Sequence, residues 1–143
     1  MKNIFLFLLP ILLVMQGCLQ QSAARDSEKK QRVRYGMITG VKPEKLDYYK
    51  SLHGKPWATV LAKIKECNIE NYSIYLQKID SNYFLFSYFE YTGNDFDADM
   101  KKMAADTATQ RWWRETDPCQ LPLLEAVAKK QIWTKMEEVF YNK

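Results

Sequence analysis

Tyr72-Ser-Ile-Tyr-Leu-Gln-Lys-Ile79-Asp80-Ser81-Asn82-Tyr-Phe-Leu-Phe-Ser-Tyr-Phe-Glu-Tyr91 is the stretch whose reading decides the fold. Two runs rich in aromatic and aliphatic residues flank Asp80-Ser81, a pair suited to tight reversal. The pattern predicts strands over Tyr72–Ile79 and Asn82–Tyr91 joined as a hairpin. The second run places Tyr83, Phe84, Leu85, Phe86, Tyr88 and Phe89 on both faces of its strand. Such a strand is explained most simply by burial on both sides, with helices over one face of the sheet and a second copy of the chain against the other.

Upstream, Tyr35 to Val41 alternates as a strand does, and Lys42-Pro43-Glu44 opens a helix with proline in its first turn. Leu46, Tyr49, His53, Trp57, Val60, Leu61 and Ile64 follow at helical spacing, a stripe that Gly54 and Pro56 break into two pieces. Asn68 suits the stop. Downstream, Asp95 can cap a helix through Met100, Met103 and Ala104. A polar-aromatic stretch, Thr107 to Glu115, comes next, then Pro118 to Lys130 with room for a short helix, and Met136 to Tyr141 alternates like a closing strand. The order β-α-β-β-α-β is that of an α+β, ferredoxin-like sandwich, which a sheet-mediated dimer would turn into an α+β barrel. There is no internal repeat and no glycine-rich phosphate loop.

The N-terminal residues read as an address. Lys2 precedes the apolar run Ile4 to Met15, of signal-peptide length, and Met15-Gln16-Gly17-Cys18 resembles a bacterial lipobox. The expected organisation is a signal peptide over 1–18 with lipidation at Cys18, a flexible linker over 19–33 and one domain over 34–143. That domain would be exported and tethered to a membrane, at the periplasm or cell surface, through its lipid alone. The charge is concentrated at this end: six basic and two acidic residues lie at or before Tyr35, leaving fifteen of each sign beyond it. A neutral domain gives nucleic acid no electrostatic footing. Cys67 and Cys119, with one histidine in the chain, lack metal-ligand spacing; an oxidising compartment permits a disulfide between them without establishing one.

His53 is the lone imidazole and the natural candidate for proton transfer near neutrality, with Tyr49 four residues earlier on the same helix face. A histidine satisfied in the core reads the same way. Trp112-Trp113, flanked by Arg111 and Arg114, is the second candidate, because indole faces stack on the C–H faces of sugars; packing at a helix end is the plain alternative. Adjacent tryptophans on a regular element cannot both face one core.

Four blocks, Tyr49-x-x-x-His53-x-x-x-Trp57, Asn71-Tyr72-Ser-Ile-Tyr75-Leu76, Gln110-Arg-Trp-Trp113 and Glu138-Val-Phe-Tyr141, resemble the L-rhamnose mutarotase family in order and separation, from Arg34 to Tyr141. The resemblance implies a ferredoxin-like domain that dimerises through its sheet and interconverts the anomers of a 6-deoxyhexose such as L-rhamnose without a cofactor or metal. By the same resemblance His53 is the catalytic proton donor, and Tyr49, Tyr72, Trp112 and Trp113 bind the sugar. The chain departs from the family pattern after the histidine, where His53-Gly-Lys-Pro-Trp57-Ala-Thr moves the proline ahead of Trp57. It departs again between Arg114 and the last strand, and in its export signal. Two other classes fit the same residues: a sugar-binding lipoprotein without turnover, and a haem- or quinone-handling domain with His53 as axial ligand.

Overall fold

The computed structural model describes residues 32–143, so the signal peptide, Cys18 and linker residues before Arg32 lie outside the described residues. Strand β1 spans Val33–Val41, starting one residue inside the segment read as linker. A single 3₁₀ turn at Pro43–Lys45 leads into helix α1, Leu46–Gly54, and α2 resumes at Ala58–Glu66. The break between them falls at Lys55-Pro56-Trp57, as the glycine and proline predict. Asn68, with φ 57°, ends α2 in the left-handed conformation and turns the chain into β2, Ile69–Ile79.

The hairpin forms as read. Strand β3 covers Asn82–Tyr91, paired with β2 from Ile79–Asn82 to Ile69–Tyr91 around a left-handed Asp80 (φ 53°). One irregularity, between Glu70 and Ser73, shifts the register beside the left-handed Asn71. Asp95 caps α3, Phe96–Ala105, by accepting from the Ala98 amide at 3.0 Å.

Residues 107–116 form a full helix, α4, where the sequence shows only a polar-aromatic stretch. Asp106 caps it through the amide and hydroxyl of Thr109, at 2.8 and 2.9 Å. A 3₁₀ turn at Asp117–Cys119 leads to β4, Gln120–Leu121, then α5, Leu124–Ala128, and β5, Thr134–Lys135. The sheet runs β2-β3-β1-β4, with β5 also on β1, and every pairing is antiparallel. This is the ferredoxin-like α+β frame, its first helical connection split into α1 and α2 and its second into α3 and α4.

The closing strand expected at Met136–Tyr141 does not form. The ladder ends where the Met136 amide donates to Gly36 O at 2.8 Å, and beyond it side chains hold the tail. Arg34 grips Glu138 through two bonds of 2.6 and 2.7 Å and lies 3.3 Å over the Tyr141 ring. Val139 and Phe140 stand 92% and 84% exposed, so the alternation that mimics a strand leaves both of these apolar side chains in the open.

The register assigns the faces. Val41, Leu85, Ile74 and Leu76 point toward the helices and pack with Tyr49 and Cys119. A second cluster gathers Cys67, Ile69 and Met103 with Phe89, Met100 and Trp113. Cys67 and Cys119 therefore sit buried in separate clusters, both as free thiols. The opposite face carries Ile38, Phe84, Phe86 and Tyr88, all only half-buried, and Tyr75 at 63% exposure.

Candidate active site

Helix α1 places its polar pair where the helical period demands. Tyr49 and His53, one turn apart, stack with centroids 4.1 Å apart. His53 Nδ1 lies 3.0 Å from the Tyr49 carbonyl oxygen. A carbonyl only accepts, so Nδ1 carries the proton, and in the neutral ring Nε2 is left as a bare acceptor. Burial pushes the imidazole below its ordinary pKa, partly opposed by that hydrogen bond. At neutral pH His53 is thus an uncharged imidazole with a basic Nε2.

Helix α4 supplies the next wall. Trp112, 7% exposed, sets an edge-on contact with His53 at 5.2 Å and another with Trp57 at 5.3 Å. Trp57 occupies the break between α1 and α2, and Arg111 lies 5.2 Å over its ring. The adjacent Trp113 points elsewhere, into the Met103 and Ile69 cluster that also includes Phe89. The two indoles therefore serve different walls, as neighbours on a helix must.

Tyr72 comes from β2, at the end of the register shift, and meets Phe89 edge-on at 5.7 Å. Its side chain is 43% exposed, yet burial pushes its phenol up to about 12. Both hold for a group on the wall of a concavity: water reaches the ring while protein surrounds the hydroxyl. No hydrogen bond engages that hydroxyl among the described residues. The Tyr49 phenol, 4% exposed, is raised by burial and then by Tyr72, whose hydroxyl lies within electrostatic reach. A bond from Gln120 opposes the rise.

The structure thus joins His53, Tyr49 and Trp112 directly, links Tyr72 to Tyr49 through space, and sets Trp113 against the same cluster as Phe89, the ring that Tyr72 meets. Gln120 and Trp57 complete the group. Trp57 is visible in the sequence as part of the helical stripe, whereas nothing local marks Gln120; it reaches Tyr49 because β4 pairs with Gly40 and Val41. An added Cβ at Gly40 would lie 2.8 Å from Leu121 O, so this approach needs glycine. Among the described residues no three His, Cys, Asp or Glu side chains gather as metal ligands.

A half-buried neutral imidazole among phenols and indoles suits proton transfer on a small polyol with an apolar face. The comparisons with known proteins agree in kind. The family model for L-rhamnose mutarotase matches residues 34–142. The L-rhamnose mutarotase of Oceanobacillus iheyensis is 34% identical over 85 residues, covering 59% of this chain and 77% of that protein. In fold the chain is similar to the crystal structure of an L-rhamnose mutarotase from Formosa agariphila, with a TM-score of 0.57 and 20% identity over 78% of this chain and 99% of the other. The match over most of the described domain and the identity to the Oceanobacillus protein together place this chain in the L-rhamnose mutarotase family.

Proposed function

We propose that the domain interconverts the α and β anomers of L-rhamnose by acid–base opening and closure of the pyranose ring, with His53 moving the proton. The observation that carries this reading is the 3.0 Å approach of His53 Nδ1 to the Tyr49 carbonyl oxygen, which assigns the proton to Nδ1 and leaves Nε2 to accept. Nε2 takes the proton of the anomeric hydroxyl and returns it to the ring oxygen, which is bonded to the same carbon. The C1–ring-oxygen bond breaks as the C1 carbonyl forms. Rotation about C1–C2 presents the other carbonyl face, and the ring hydroxyl adds there with the proton moving back. No electron is gained or lost, so the chemistry requires no redox group.

Tyr72 and Tyr49 orient the sugar. Their raised pKa values keep both protonated, and the unengaged Tyr72 hydroxyl is a ready donor to a sugar hydroxyl. Trp112 and Trp113 supply apolar walls for the C–H face and the C6 methyl. Exchange NMR of L-rhamnose with the full chain tests the assignment: anomer exchange should exceed the buffer rate in proportion to protein concentration. Saturable binding without acceleration would leave a sugar-binding module instead.

Two further features belong to this reading. The half-open aromatic face of Ile38, Tyr75, Phe84, Phe86 and Tyr88 pairs with its counterpart in a second copy, because a contiguous apolar sheet face of this kind is otherwise costly in water. Sedimentation at micromolar concentration should give a dimer that Phe86→Glu converts to monomer; a wild-type monomer would sink the pairing. Lipid on Cys18 anchors the assembly to a membrane, and the mass of the mature N-terminus decides whether that residue is acylated.

A further inference from the structure

Phe89 also lines a cavity of about 310 Å³ between β1, α3 and the α5–β5 segment, and His53 is not part of its lining. Its floor is aromatic. Tyr35 stacks on Phe89 at 4.9 Å and on Phe96 at 4.6 Å, while Phe89 and Phe96 are 6.4 Å apart, all three nearly parallel. These distances make the angle at Tyr35 close to a right angle. Near-parallel rings reach that only when Phe89 and Phe96 lie side by side under one face of Tyr35. The other face of Tyr35 remains, with Lys135 Nζ 4.8 Å from its centroid and in no ion pair among the described residues.

The rim is polar and built. Lys130, with φ 55°, turns the chain after α5 so that the Gln131 amide donates to Ala126 O at 2.8 Å. That turn sets Gln131 beside Lys129, whose ammonium is held by Glu125 at 2.7 Å. The rim lies in the part of the chain, after Arg114, that departs from the family pattern. An aromatic floor under amide, ammonium and carboxylate groups is the composition that takes a pyranose, and the volume falls within the roughly 300–1,000 Å³ typical of small-ligand sites.

We propose that this cavity is a second sugar subsite, so that the substrate class extends to reducing disaccharides with the 6-deoxyhexose at the reducing end. The inference rests on the reading of His53 and Tyr72 as the site for the reducing unit. Phe89 is the link: it meets Tyr72 of that site and forms part of the cavity floor. On a pyranose, C4 lies across the ring from C1. With C1 at His53, a sugar attached through O4 leaves the first site in the opposite direction, past Tyr72 and Phe89 toward Tyr35. The second ring puts its C–H face on this side of Tyr35 by swinging the Lys135 ammonium off the ring, and Lys135, Lys129 and Gln131 then meet its hydroxyls. Its contacts lie away from C1, so it tightens binding without touching proton transfer.

The test is a binding titration of the full chain with L-rhamnose and with a D-glucopyranosyl-(1→4)-L-rhamnose, repeated on Lys129→Ala/Gln131→Ala and on Gln131→Trp, whose indole fills the rim. One or two extra hydrogen bonds give the disaccharide about three- to tenfold tighter binding to the wild type. Both variants should lose that advantage while their affinity for L-rhamnose and their anomer exchange stay at wild-type values. Equal affinity for the two sugars, or a matching loss for L-rhamnose in the variants, overturns the subsite. Because the readout is binding, absence of anomer exchange in the wild type would count against the mutarotase reading alone and leave the titration to decide the subsite.

Discussion

His53→Ala is expected to slow anomer exchange by about two to four orders of magnitude, the range that a positioned general acid–base group contributes. Affinity for L-rhamnose should change by no more than a few fold, because Tyr49, Tyr72 and the indoles remain. A fall in kcat with KM nearly constant is the signature of a group whose interaction strengthens only in the transition state. The wild-type pH profile carries a second sign. Burial lowers the His53 pKa, so the ring stays neutral into mildly acidic solution and Nε2 keeps its lone pair there. The rate should hold as pH falls past the ordinary histidine value near 6.5 and drop only as it passes through the lowered one. That acid limb should vanish from the residual activity of His53→Ala. Exchange as fast as wild type in the variant would remove His53 from the mechanism.

Much of this architecture is legible in the sequence, for identifiable reasons. The Tyr72–Tyr91 hairpin is read correctly because its turn is local and its two strands are long, and Asp95 and the Gly54–Pro56 break act within a turn of the residues that reveal them. The Tyr49–His53 pair is legible because a one-turn spacing on a helix forces contact. Helix α4 is hidden because two of its three buried residues, Thr109 and Thr116, carry hydroxyls, so its inner face lacks an apolar stripe. The signal present was Asp106 three residues before Thr109, a cap without an evident helix behind it. The tail misleads in the opposite sense, since Met136 to Tyr141 has strand alternation while its hold on β1 past Met136 comes from Arg34 side-chain bonds. Gln120 is illegible in principle: its partner lies 71 positions away and is reached only through the register of β4 on β1.

Trp112→Ala should damage the fold before it reveals any chemistry. The indole is 7% exposed and joins three elements: α4, which carries it, α1 through His53, and the α1–α2 break through Trp57. Truncating a buried tryptophan costs about 3–5 kcal/mol, a large share of the roughly 5–15 kcal/mol that holds a domain together. At about 4–8 °C per kcal/mol for a domain near this size, the melting temperature should fall by more than about 10 °C. Trp112→Phe separates packing from function. A phenyl ring keeps an aromatic edge toward His53 and Trp57 at a smaller loss of volume, so this variant should fold. It should nevertheless lose turnover, because the imidazole it borders is less firmly set against Tyr49 and a small misplacement of a catalytic group is expensive in rate. Trp113→Ala, on the wall with Met103 and Phe89, should instead weaken sugar binding and leave the pH profile unchanged. A Trp112→Ala protein that melts near wild type would show that the indole does not hold α4 to α1. A folded Trp112→Phe protein with wild-type kcat and KM would confine Trp112 to packing and leave His53 to be oriented by Tyr49 alone.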